Sequence, residues 1–177
     1  MGNHGESQRL EVVIQAASLA RDYVRLTMVG HGVQRRQLIG LAQALEAPVI
    51  FRGPVEGREV TEFYLDADTC VVSLRDDWQS FDVTIPSKTY EILAVGRHVT
   101  GVLRGEAGRV IEESGAGDVV AADPEAIAAL WKELHADRSR LASGTSGRQW
   151  LDAHADLNGL SAAYADLLRS LTPRRNA

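Results

Sequence analysis

Three side chains within five residues carry the most pointed chemistry in this chain: Ser87, Lys88 and Glu91, in the run Ile85-Pro86-Ser87-Lys88-Thr89-Tyr90-Glu91-Ile92-Leu93-Ala94. Pro86 stops the loop that leaves a buried strand. Ser87 reads as the N-cap of a short helix, because its hydroxyl can satisfy a free backbone N–H. An opened helix N-terminus attracts phosphate through its N–H groups and its dipole. Lys88 adds a cation there, and Glu91, one turn further in, can accept hydrogen bonds from sugar hydroxyls. The combination points to a nucleotide-linked ligand.

Such a ligand needs backbone N–H groups at close range, and the glycine turns supply them. Gly2-Asn3-His4-Gly5, Gly30-His31-Gly32 and Gly53-Pro54 each stand where a chain must turn tightly or approach a ligand. Gly30 is the ligand-facing residue of the second turn, whereas Gly32 reads as a simple tight turn.

Other polar groups read as bystanders. Asp66-Ala67-Asp68 imitates a metal-binding pair but precedes its strand, at the amino end of a parallel sheet and away from the ligand edge. Asp76, Asp77 and Asp82 lie past the carboxyl end of that strand and read as a solvated acidic loop. The five histidines, His4, His31, His98, His135 and His154, show no ligand spacing, so no metal site is expected. His4 and His31 read as exposed loop residues, and Glu106 as a helix-start carboxylate facing the dipole.

The elements that must position these groups follow from periodicity. Leu10, Val13, Ile14 and Ala17 define a helix to about Asp22, and Val24–Gly30 a strand. A second helix carries Leu38, Leu41, Ala42 and Leu45. Pro48–Phe51 is a strand, Val60–Leu65 a helix, and Cys70–Leu74 a strand. After the loop Arg75–Pro86 and the Ser87 helix come a strand at His98–Leu103, a helix at Glu106–Ser114 ended by Gly115, and a strand at Val119–Ala121. Asp123 caps a helix with Pro124 at its first position and a stripe of Ile127, Leu130, Trp131 and Leu134. Helical segments near Leu141–Leu151 and Leu160–Leu171 follow, with Trp150 packing among them, and the tail Thr172–Ala177 reads as frayed. Alternating strands and helices give an α/β fold, a Rossmann-like doubly wound parallel sheet with C-terminal helices. Residues 1–136 form the ligand-binding unit and 137–177 the helices of the same domain.

Composition fits this reading. The 177 residues are 45% hydrophobic and 24% charged, with a net charge of −5. That argues against a nucleic-acid partner, which a basic surface would serve. The lone cysteine, Cys70, sits in an apolar run and has no intrachain partner, which fits a reducing cytoplasm. No run approaches the roughly 20 apolar residues of a membrane span, although peripheral membrane contact through a longer protein is compatible with this composition. A doubly wound domain usually opens with a strand, and here Gly2–Gly5 reads as a loop with no strand before it. The expectation is a fragment of a larger protein, lacking its first strand.

At these residues the sequence resembles the C-terminal, nucleotide-sugar-binding half of GT-B glycosyltransferases, in particular family 4, the group 1 type. The similarity runs over nearly the whole chain. It includes Gly2-Asn3-His4-Gly5 with Gln8-Arg9-Leu10-Glu11, Val29-Gly30-His31-Gly32, Phe51-Arg52-Gly53-Pro54-Val55, Ala67-Asp68-Thr69-Cys70-Val71-Val72, Pro86-Ser87-Lys88 through Glu91, Gly105-Glu106-Ala107, and Gly115-Ala116-Gly117 to Asp123-Pro124-Glu125-Ala126. The resemblance implies transfer of a sugar, with retention, from a nucleotide diphosphate sugar, a UDP-sugar favoured, to a glycan or lipid-linked acceptor. By the same resemblance no metal or other cofactor is required, and the expected setting is polysaccharide or glycolipid assembly in the cytoplasm or at the inner face of its membrane.

Residue by residue, the resemblance makes Glu91 the acceptor of ribose hydrogen bonds, puts Gly2, Asn3 and Gly5 by the diphosphate, and turns the backbone of Gly53 and Pro54 toward the base. Many members carry a second glutamate eight residues earlier, where this chain has Val83, with Asp82 one further out. Many also place Arg and Lys by the first glycine loop, where Asn3 and Gln8 stand here. Lys88, in the Pro-Ser-Lys variant, is expected to supply the missing charge. Catalysis is thus assigned to Lys88 and Glu91, with an acceptor-binding domain outside this chain. The isolated fragment is expected to be inactive. A nucleotide-sugar epimerase half, or a non-catalytic α/β interaction module, is the alternative.

Overall fold

The computed structural model describes residues 1–171, with Leu157 placed by its backbone alone. The tail expected to fray, Thr172–Ala177, lies outside the described residues.

Six parallel strands alternate with helices. They are β1 (Gly2–Asn3), α1 (Leu10–Leu19), β2 (Leu26–His31), α2 (Arg35–Ala44), β3 (Val49–Arg52), α3 (Arg58–Asp66), β4 (Thr69–Ser73), α4 (Ser87–Val95), β5 (His98–Val102), α5 (Gly105–Ser114), β6 (Gly117–Val120), α6 (Pro124–Ala136), α7 (Thr145–His154) and α8 (Leu157–Leu171). Short 3-10 turns occupy Glu6–Gln8, Gln79–Val83 and Arg138–Gly144. The start of α6 and the end of α5 are as expected. The Asp123 carboxylate accepts from the Ala126 N–H with Pro124 first in the helix, and Gly115 ends α5 in the left-handed conformation.

Strand alternation divides the core into two layers. Cys70 and Val72 of β4, Leu74 just after it and Val99 of β5 pack with Ile92, Leu93 and Ile111 on the α4–α5 side. Val71 and Val102 turn the other way, against Val12, Val13, Ile127 and Trp131 of α1 and α6. Helices therefore cover both faces, as the doubly wound reading requires. On the first of these faces α7 crosses α4, where a Cβ on Gly147 would stand 2.7 Å from the Leu93 side chain. Trp150 of α7 packs against that same layer and stacks on His154. The α8 side chains Leu160, Tyr164 and Leu171 stay exposed.

Two features depart from expectation. Gly2 and Asn3 form a short strand rather than a loop: Gly2 pairs with Gly30 and Asn3 with His31, in parallel. The reason lies at Gly30, whose φ of +132° and missing side chain let the Gly2 carbonyl approach to 1.9 Å from where a Cβ would stand. The sheet is also two hydrogen-bonded triplets, β1-β2-β3 and β4-β5-β6, rather than one continuous ladder. With only two residues, β1 cannot bridge β2 to β4 along their length.

Candidate functional site

The carboxyl ends of β1 to β5 and the N-terminus of α4 converge on one edge, where a parallel α/β sheet holds its ligands. At β1 the chain is fastened from both sides. The His4 N–H donates to the His31 carbonyl at 2.7 Å, the Gln34 N–H to the His4 carbonyl at 3.0 Å, and the Arg75 N–H to the Ser7 carbonyl at 2.9 Å. The Ser73 hydroxyl donates to the Gln8 carbonyl at 2.6 Å. Gly5 is buried, and its N–H donates to the Gln8 side-chain oxygen at 3.2 Å. The first turn is thus a rigid platform held by β2 on one side and β4 on the other.

His4 differs from the exposed loop residue expected. It is 2% exposed, meets the Phe51 ring edge-on, and its Nδ1 has no hydrogen-bond partner. Burial, first, and then nearby positive charge hold its pKa below the usual histidine value, so the ring is a neutral packing element. Gly32 is also more than a simple tight turn, because a Cβ there would stand 2.4 Å from the His4 carbonyl oxygen.

The α4 start corrects another expectation. The N-cap is Pro86, whose carbonyl receives the Thr89 N–H at 2.9 Å, and Ser87 is the first helical residue with no capping bond. Its hydroxyl instead donates to Glu91 Oε1 at 3.4 Å, while the Tyr64 hydroxyl of α3 donates to Oε2 at 3.0 Å. Glu91 is exposed and oriented by two hydroxyls. Tyr64 is a site residue that sequence reading missed, since its partner lies in the next helix. Burial and the neighbouring carboxylate raise the Tyr64 pKa, so it remains a donor at neutral pH.

Lys88 points toward β1. Its ammonium stands 2.9 Å from where a Cβ on Gly2 would be, and burial lowers its pKa, with Glu91 opposing the shift. The structure therefore brings Gly2, Lys88, Ser87 and Glu91 into one neighbourhood with Gly30. The Asn3 side chain stands between the two glycine turns, its Nδ2 2.8 Å from a Cβ position on Gly5 and its Oδ1 2.6 Å from one on Gly32. Gly53 and Pro54 are exposed just past the end of β3, with open space where a Cβ on Gly53 would stand.

The acidic loop past β4 is ion-paired rather than simply solvated. Asp76 pairs with Arg9, Asp77 with Arg75 at 2.6 Å and Asp82 with Arg104 at 2.7 Å. The Arg75 guanidinium also lies over the Trp78 ring, which stacks on Phe81. Asp68 joins Arg138 at the opposite end of β4, remote from the ligand edge as expected. Among the described residues no group of His, Cys, Asp and Glu is arranged to hold a metal, and no helix is long and apolar enough to cross a membrane.

No family model matches the sequence, and no curated protein matches it. Solved structures do. The C-terminal domain of LpcC, a glycosyl transferase group 1 family protein from Francisella tularensis, superposes with a TM-score of 0.71 at 17% identity, over 89% of this chain and 84% of that one. The fold is that of the C-terminal half of a GT-B glycosyltransferase. HepE of Anabaena, solved in complex with UDP-glucose, superposes with a TM-score of 0.80 at 15% identity, over 96% of this chain and 48% of HepE. WaaG, a glycosyltransferase involved in lipopolysaccharide biosynthesis, gives a TM-score of 0.72 at 19% identity, over 94% of this chain and 45% of that one. The chain thus spans about half the length of HepE and of WaaG.

Proposed function

We propose that this chain is the donor-binding half of a retaining glycosyltransferase, taking a nucleotide diphosphate sugar, a UDP-sugar by preference, for transfer to a glycan or lipid-linked acceptor. The observation that carries the reading is the juxtaposition of Lys88, the Gly2–Gly30 strand pair and the hydroxyl-oriented Glu91 at one α4 terminus. The likeness to HepE with UDP-glucose bound supports it.

Cleavage of a sugar–diphosphate bond builds negative charge on the leaving phosphate, so the site must offer preorganised positive charge and N–H groups more than a strong base. Lys88 supplies the cation, and its partial desolvation strengthens its pull on a phosphate. Glu91 fixes the ribose by accepting from its hydroxyls while Tyr64 and Ser87 hold the carboxylate in place. Asn3 and Gly5 face the diphosphate and Gly53–Pro54 the base. A second, acceptor-binding domain completes the cleft, and this half alone binds its donor without turning it over.

Calorimetric titration with UDP, GDP and ADP tests the reading, with Glu91→Ala as control. Saturable binding of one nucleotide, lost in the variant, supports it. Absence of binding to the chain joined to its acceptor domain would overturn it.

A further inference from the structure

The last residue of β3 is a cation at the ligand edge that nothing in the fold employs. Other arginines on that edge are occupied: Arg9, Arg75 and Arg104 each pair with an aspartate of the loop past β4, and the Arg35 guanidinium lies over the Phe51 ring. Arg52 is exposed, and its side chain makes no hydrogen bond, ion pair or ring contact with any described residue. Strand alternation sets where that side chain goes. Phe51 packs with Met28 and Leu38 on the α1–α2 side, so Arg52, one residue on, turns to the opposite face. That is the face of α3 and α4, which carries Tyr64 and Glu91. Thr27 and Ile50, which share the face with Arg52, are exposed as well, so no described element covers the guanidinium. Just past it, the carbonyls of Gly53 and Pro54 accept no hydrogen bond, and Pro54 has no N–H to offer. The end of β3 therefore presents a free donor beside free acceptors.

We infer that Arg52 and the carbonyls of Gly53 and Pro54 read the keto edge of a nucleobase, and so restrict the donor to uracil or guanine nucleotides against cytosine and adenine ones. The inference rests on the donor-binding reading above, in which this turn faces the base. A guanidinium only donates hydrogen bonds and a carbonyl only accepts them. Side by side, they match a base edge that presents an acceptor next to a donor: O4 beside N3–H in uracil, O6 beside N1–H in guanine. Cytosine and adenine reverse that order, with an exocyclic amine that donates beside a ring nitrogen that accepts. Either base would meet the guanidinium with a donor and the carbonyl with an acceptor. A mismatch of this kind leaves polar groups on both sides unpaired, which rejects a ligand more strongly than a missing contact does. Arg52 touches no reacting atom. It sets specificity, while Lys88 and Glu91 take the diphosphate and ribose whichever base is attached.

The test is calorimetric titration with UDP and CDP, which differ only at that edge. The parent chain should bind UDP about tenfold or more tightly than CDP. Arg52→Ala should bring the two affinities within about threefold of each other, chiefly by weakening UDP. Arg52→Glu replaces the donor by an acceptor and should turn the preference toward CDP. Arg52 is exposed and unpaired, so both variants should keep the parent's melting curve. Two results overturn the inference and leave the donor-binding reading standing: the parent binds UDP and CDP equally, or Arg52→Ala weakens both by the same factor, as a charge that merely attracts the diphosphate would. Binding of neither nucleotide, in this chain and in the chain joined to its acceptor domain, overturns the reading and the inference together.

Discussion

Tyr64 and Glu91 meet across two helices, the hydroxyl on α3 donating to the carboxylate Oε2 on α4 at 3.0 Å. The bond fixes the one acidic side chain that the α4 terminus offers to a ligand. Tyr64→Phe keeps the ring in the core and removes only the donor. Nucleotide affinity should fall by about 3- to 10-fold, the worth of one such bond, while Glu91→Ala abolishes it. Calorimetry on both variants separates the two effects, and equal losses would show that Tyr64 contributes more than orientation.

Lys88 presents a conflict between stability and function. Its ammonium is held partly out of water beside Gly2, and burial lowers its pKa. A lowered lysine pKa means the folded state favours the neutral amine, so the folded chain gains stability as pH rises through that lowered value toward the unfolded one. Lys88→Met should accordingly raise Tm by a few degrees and remove nucleotide binding. Thermal melts with and without nucleotide check both halves: the variant melts higher when empty and gains nothing from ligand.

A neutral His98 completes a one-way chain of donors. Trp131 Nε1–H donates to Thr100 Oγ1 at 3.3 Å, the Thr100 and Thr69 hydroxyls meet at 2.8 Å, and Thr69 lies 2.8 Å from His98 Nδ1. His98 Nε2 reaches Asp118 at 3.0 Å, and Arg140 takes the other Asp118 oxygen at 2.8 Å. Protonation at Nδ1 would turn that nitrogen into a donor, so the Thr69 hydroxyl would have to accept there instead of donating. Burial lowers the His98 pKa below its ordinary 6.5, with Asp118 opposing. The unfolded chain therefore binds the proton first, and stability falls as pH drops from about 6.5 toward the lowered folded value. Melting between pH 7.5 and 5 should show this loss, and His98→Gln should make it smaller. The Met1 amine and His4, also lowered, titrate in both proteins and cancel in the comparison.

Gly30→Ala tests the β1–β2 contact. An added methyl meets the Gly2 carbonyl at 1.9 Å and the backbone must leave a φ of +132°. A cost of about 2–4 kcal/mol is expected, together with loss of protection at Asn3 and His4 in amide exchange. A melting curve within a degree of the parent would contradict the close approach.

Much of the fold was legible because it depends on neighbours in sequence. Asp123 before Pro124, and Gly115 after a periodic run, announce helix ends through bonds spanning a few residues. The site was less so. His4 is buried by His31, Gln34 and Phe51, and Asp76 is ion-paired with Arg9 from the turn after β1, 67 residues earlier. Such pairings exist only once the strands are ordered in space. Ser87 was a fair N-cap by type, yet Glu91 one turn on competed for its hydroxyl and Pro86 supplied the cap position. The two-residue β1 was invisible because its evidence is a φ angle at Gly30, not a pattern in Gly2–Gly5.

The packing of α1 on α6 bears on how the chain assembles in time. Each sheet triplet draws on strands close in sequence, so β2 with β3, and β4 with β5 and β6, need close only short loops. Val13 and Trp131, by contrast, belong to one apolar layer although nearly the whole strand-bearing part of the chain separates them. Joining them carries a larger loop-closure entropy than pairing the strands within either triplet. Contact order therefore predicts two half-sheets that form early and a seam that closes late, with the packing of α1 on α6 as the step that paces folding.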